Sequence, residues 1–151
     1  MPVVGTARSQ WTDERLADHV REVLQGRDEA IVDRLCSHLS YVEGDYQNPA
    51  VYDLISEKLG DARLPVFFMA IPPSLFDDVA TGLAGVGFAT NGRLVVEKPF
   101  GRDLASAIEL NEILHRHFHE DQIFRIDHFL GKEPVQNPVS YTHLRAHETY
   151  T

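Results

Sequence analysis

The nine residues from Arg125 to Glu133, RIDHFLGKE, carry five ionisable side chains of both signs, one of them a histidine. His128 and Lys132 stand four apart, so on a helical turn they project to one side. Two cationic donors on one face suit a phosphate, with lysine acting as a point charge. Asp127 precedes the histidine. A carboxylate beside a reacting site can orient a histidine base and stabilise its protonated form. The same pattern also suits a solvated loop after an edge strand.

Lys98 is the second candidate. It precedes Pro99, and the residue before a proline is pushed towards extended backbone. Its ammonium is therefore aimed from a strand end, where it could hold a hydroxyl or phosphate oxygen. A surface lysine capping a strand is the bland alternative. Polar groups follow other apolar runs in the same way: Arg8 after the first, Gly44-Asp45-Tyr46 after the second, Pro72-Pro73 after the third.

Short apolar runs alternate with helical patterns to produce this spacing. Residues 2–7 (PVVGTA) predict a strand. Thr12, Asp13 and Glu14 supply a cap and an acidic first turn, and Leu16, Val20, Val23 and Leu24 predict an amphipathic helix over residues 13–25. A weaker helix is expected over residues 29–36, a strand over 39–42 and a helix over 49–59, stopped by Gly60. The run PVFFMA, residues 65–70, is continuously apolar, as expected of a strand buried on both faces. Leu75, Phe76, Val79 and Leu83 mark a helix, residues 94–96 a strand, residues 103–118 a long helix and residues 123–126 a last strand. Such alternation favours an α/β fold with a parallel sheet, helices on both faces and right-handed crossovers. Parallel sheets bind ligands beyond the carboxyl ends of their strands, where the candidate residues fall.

Composition narrows the functions. The 151 residues suggest one domain or part of a larger one, and 43% hydrophobic residues allow a packed core. A net charge of −9 argues against a nucleic-acid partner. No apolar run approaches a membrane span, and no signal-peptide pattern opens the chain. The single Cys36 excludes an internal disulfide and fits a reducing, cytoplasmic setting; it is expected as a small buried residue. His115, His117 and His119 end the long helix, where cationic groups are favourable. Side chains two apart on a helix diverge, so a shared metal is not expected.

Four motifs in order, GTARS (residues 5–9), AIPPSLF (70–76), EKPFGRDLASA (97–107) and RIDHFLGKE, resemble glucose-6-phosphate dehydrogenase over residues 3–137. EKP alone also occurs in other sugar dehydrogenases; RIDHFLGKE argues against those. The resemblance implies a Rossmann-type domain that binds NADP, and oxidation of glucose 6-phosphate at C1 to the phosphogluconolactone, the first step of the pentose phosphate pathway. It implies that Arg8 contacts the adenosine 2′-phosphate, that Asp45 and Tyr46 line the cofactor site, and that Lys98, placed by Pro99, lies between nicotinamide and sugar. His128 and Lys132 match the sugar-phosphate ligands. Asp127 matches the carboxylate supporting the catalytic histidine. The reaction needs a base for the C1 hydroxyl proton and a hydride acceptor above C1, both matters of positioning. The family is also homo-oligomeric.

Three departures from the family qualify these expectations. The family opens with a strand and a GxxGDL-type turn that cradles the cofactor pyrophosphate at a helix N-terminus. This sequence starts at what would be the second strand, so the expected fold is an incomplete Rossmann-type sheet lacking the first βα unit with its Gly-rich turn. Phe129 stands where the family motif usually has tyrosine. A hydrogen bond to a charged group contributes roughly 1.5–3 kcal/mol, so Phe129→Tyr in a full-length protein is expected to lower KM for glucose 6-phosphate; an unchanged KM contradicts this. Finally, the family continues after VQN into a larger β+α domain with the general-base histidine and subunit interface. Here residues 139–149, VSYTHLRAHET, resemble the in-frame translation of a transposase sequencing adapter. The expected division is therefore a partial NADP-binding domain over residues 1–137 and a non-native tail over 138–151. On that reading the chain by itself is a truncated, non-catalytic fragment. The tail's His143 and His147 are excluded as metal ligands, and no metal is expected elsewhere.

Overall fold

A computed structural model describes residues 1–127. Its order is β1 (Val3–Ala7), α1 (Asp13–Val23), α2 (Glu29–Cys36), β2 (Leu39–Glu43), α3 (Ala50–Leu59), β3 (Val66–Met69), α4 (Phe76–Gly85), β4 (Arg93–Glu97), α5 (Leu104–His115) and β5 (Ile123–Ile126). Each expected element is present, with shorter ends on α1 and α5. The caps account for several starts. Thr12 accepts from the Arg15 N–H, Asp28 from Ala30 and Ile31, and Asp103 from Ser106. At α5 the box is reciprocal, because Ser106 Oγ also accepts from the Asp103 N–H at 3.1 Å.

All strand pairings among the described residues are parallel, but these strands form two sheets rather than the single sheet the alternation suggested. β1 pairs with β2, with Ala7 opposite Glu43. β4 lies between β3 and β5, with Val96 opposite Met69 and Glu97 opposite Ile126. No described strand bridges β1 to β3. This is a Rossmann-like, incomplete parallel arrangement. One apolar core nevertheless joins the halves: Val42, Val51 and Tyr52 pack with Phe76, Leu83, Leu94, Leu114 and Phe118. Gly82 permits this seam, since a Cβ there would overlap the Tyr52 ring.

Burial corrects the reading of PVFFMA as a strand covered on both faces. Met69 is buried, but Val66 and Phe68 are 59% and 55% exposed. Successive strand side chains alternate faces. Leu94, Val96 and Ile123 point to the core with Met69, whereas Phe68 aligns with Val95 and the exposed Phe124 on the open face. β3 is also an edge strand among the described residues. On α5, Leu110 and Leu114 are buried, while Leu104 and Ile108 are exposed. No described helix is long and apolar enough to cross a membrane.

Candidate functional site

The carboxyl ends of β3, β4 and β5 lie at one edge, set by the strand register. The Lys98 N–H donates to the Ile126 carbonyl at 3.1 Å, carrying the ladder one residue past β4. This places Lys98 beside Asp127. Lys98 Nζ donates to Asp127 Oδ2 at 3.2 Å, with the side chains 61% and 23% exposed. The Lys98–Pro99 peptide is cis. A cavity of about 270 Å³ opens between the ends of β3 and β4, lined by residues 69–73 and 97–99. Two of the sequence motifs thus meet in one concavity. Past Pro99 the chain turns into the α5 cap through Gly101, at φ +127°, a conformation that favours glycine.

The other sheet carries the remaining candidates. Arg8, just past β1, donates from Nη2 to Asp45 Oδ1 at 3.0 Å. The Gln47 backbone N–H donates to the same oxygen at 3.1 Å. That bond first, and Arg8 second, hold the Asp45 carboxyl below its ordinary value. Tyr46 OH donates to the Thr6 carbonyl at 2.8 Å, strapping the loop after β2 across β1. Burial pushes the Tyr46 phenol up. Tyr52 OH donates to the Tyr46 carbonyl at 2.6 Å, and its burial raises its pKa to about 12. Gln47 Nε2 donates to Asp78 Oδ2 at 3.2 Å, tying this loop to the first turn of α4.

The structure therefore brings Lys98 and Asp127 together, and separately Arg8, Asp45 and Tyr46. His128 and Lys132, the expected phosphate ligands, and Phe129 lie outside the described residues, as does the tail. Arg125, the first ionisable residue of the same motif, donates to Glu120 Oε1 at 2.9 Å and to Asn111 Oδ1 at 2.8 Å, anchoring β5 to its surroundings. α5 ends at His115, so His117 and His119 lie past the helix expected to splay them, and their partners differ. His115 pairs with Glu120 at 3.0 Å, and His117 meets Thr81 at 3.2 Å. No described group of three His, Cys, Asp or Glu residues is arranged to hold a metal. Cys36 is buried, its Sγ 3.6 Å from the Ala17 carbonyl.

Sequence reasoning missed Asp13. Its carboxylate takes Lys58 Nζ at 2.8 and 2.9 Å and the Tyr41 N–H at 2.6 Å, joining α1, α3 and β2. Lys58 is the first cause of its lowered pKa. It was legible only as a helix-start acid, because both partners are distant in sequence.

Parallel strands with cationic and acidic side chains beyond their carboxyl ends give a Rossmann-like α/β domain, in which ligands bind at that edge. The family model described as glucose-6-phosphate dehydrogenase, NAD binding domain, matches residues 1–137. The chain belongs to that family. It is 44% identical over 138 residues to glucose-6-phosphate 1-dehydrogenase 1 of Mycobacterium tuberculosis, covering 89% of this chain and 29% of that protein. The Bacillus subtilis glucose-6-phosphate 1-dehydrogenase is 40% identical over 145 residues, with 89% and 30% covered. Among solved structures, the Mycobacterium avium enzyme aligns with a TM-score of 0.81 at 41% identity, covering 89% of this chain and 30% of that one. A glucose-6-phosphate dehydrogenase in complex with its substrate glucose-6-phosphate aligns with a TM-score of 0.75 at 39% identity, with 90% and 31% covered. The chain thus spans less than a third of the length of the relatives it matches.

Proposed function

We propose that residues 1–137 are the cofactor-binding part of an NADP-dependent glucose-6-phosphate 1-dehydrogenase, which oxidises the sugar at C1 in the first step of the pentose phosphate pathway. The observation that carries this is the Lys98–Asp127 pair beside the cavity at the ends of β3 and β4. Lys98 orients the C1 hydroxyl against the nicotinamide. Asp127 supports a general-base histidine contributed from outside this segment. His128 and Lys132 hold the sugar phosphate. The donor set fits the cofactor, for Arg8 is 62% exposed at the end of β1 with a guanidinium suited to a 2′-phosphate. Asp45 and Tyr46 line the adenosine end. NADP, when bound, accepts the hydride. The full enzyme works in the cytoplasm as a homo-oligomer, without a nucleic-acid or membrane partner.

The test is a substrate comparison in a full-length enzyme carrying residues 1–137. NADPH formation with glucose 6-phosphate should exceed that with unphosphorylated glucose by at least about a hundredfold in kcat/KM, because the unphosphorylated sugar leaves the phosphate ligands unpaired. Equal rates overturn the proposal.

A second reading applies to the 151-residue chain alone. The lack of a strand joining β1 to β3 among the described residues, with the exposed Val66 and Phe68, favours an inactive, association-prone piece. Purified alone, it should form no NADPH from glucose 6-phosphate; measurable turnover rejects this.

A further inference from the structure

Arg8 already has an anionic partner. Its Nη2 contacts Asp45 Oδ1, and that oxygen is fixed by the Gln47 N–H rather than free to swing away. The loop that carries Asp45 is fixed in turn, by Tyr46 OH on the Thr6 carbonyl and Gln47 on Asp78. A phosphate reaching Arg8 must therefore displace a fixed carboxylate or share the guanidinium with it. Sharing brings two anions close together, which is repulsive. A ribose hydroxyl meets the opposite situation, since a carboxylate accepts its hydrogen bond.

We propose that Asp45 is a cofactor-selectivity residue: by occupying Arg8 and presenting a carboxylate beside it, Asp45 weakens the preference for a 2′-phosphorylated nicotinamide dinucleotide over its 2′-hydroxyl counterpart. The proposal rests on the reading of Arg8 as the 2′-phosphate contact. The effect is modest, because both side chains are substantially exposed and water screens the pair.

The test uses a full-length enzyme carrying residues 1–137, with the NADP-to-NAD ratio read both from the Kd of each oxidised cofactor, by binding titration without substrate, and from kcat/KM. Asp45→Asn keeps an oxygen for the Gln47 N–H and removes the charge. It should raise the NADP-to-NAD ratio by about threefold to fivefold, the scale of an exposed ion pair. Asp45→Ser should move the ratio in the same direction, guarding against a fault particular to asparagine. In an Arg8→Ala background, Asp45→Asn should raise the ratio by less, since no guanidinium remains to release and only the carboxylate's own repulsion is removed. If Arg8→Ala lowers the ratio but neither Asp45 variant raises it, the proposal fails and the reading of Arg8 stands. If Arg8→Ala leaves the ratio unchanged, the reading of Arg8 fails and takes the proposal with it.

Discussion

The two sheets place their candidate residues by the same parallel register but reinforce it differently. At the β3-β4-β5 edge, Lys98 and Asp127 follow adjacent strands, and the strands are backed by Leu94, Val96, Leu114 and Phe118, all essentially inaccessible. Main-chain register and apolar packing bring the pair together. At the β1-β2 edge the register also continues past the strands, through the Gly44 N–H on the Ala7 carbonyl at 3.0 Å, and side-chain bonds are added around Arg8, Asp45 and Tyr46: an exposed ion pair, a phenol on a carbonyl and an Asx-type turn. Behind them α1 contributes no fully buried residue, and the apolar backing comes from α3 through Val51 and Tyr52. Burial of a leucine-sized side chain is worth about 1.5–3 kcal/mol, whereas an exposed ion pair contributes about 0–1 kcal/mol. The β3-β4-β5 edge is thus a platform held chiefly by apolar packing. The β1-β2 edge adds a polar clasp, open to adjustment by substitution.

The contrast can be broken by substitution, beginning with the core of the platform. Leu94→Ala removes a fully buried side chain from the central strand and should cost about 2–5 kcal/mol in denaturant unfolding. A loss below about 1 kcal/mol would show that the platform is not core-backed. Next is the seam between the halves. Gly82→Ala drives a methyl into the Tyr52 ring and should cost about 1–3 kcal/mol; a neutral melting temperature would mean the two halves do not depend on this contact.

The smallest effect belongs to the clasp side. Lys58 and the Tyr41 N–H hold the Asp13 carboxyl below its ordinary 3.8. A depressed folded-state pKa contributes stability above that value and loses it as pH falls through the depressed value. Asp13→Asn should therefore destabilise by under about 1 kcal/mol at neutral pH, because the pair is partly exposed. The penalty should vanish in acid. Urea melts at both pH values check this, and a penalty that grows in acid reverses the sign.

Local signals explain why the elements could be read from the sequence. Thr12, Asp28 and Asp103 cap helices through bonds two or three residues away, and periodicity marks the apolar faces. Pairing between distant segments leaves no such mark. PVFFMA has the composition of a strand covered twice, yet which face is open depends on what packs there. Lys98 and Asp127 are 29 residues apart and Arg8 and Asp45 are 37 apart. Each residue could be singled out by its type and its place after a strand, but not its partner. Arg125 shows the converse, an ionisable residue inside a ligand-like motif whose partners are structural.

The central claim is that the Lys98–Asp127 edge is where the sugar is oxidised. Lys98 is 61% exposed, so its loss should leave folding intact. In a full-length enzyme carrying residues 1–137, Lys98→Met should lower kcat/KM for glucose 6-phosphate by about a hundredfold or more, the scale of misplacing a reacting group, with an unchanged melting temperature. Activity within about twofold of the parent would contradict the account.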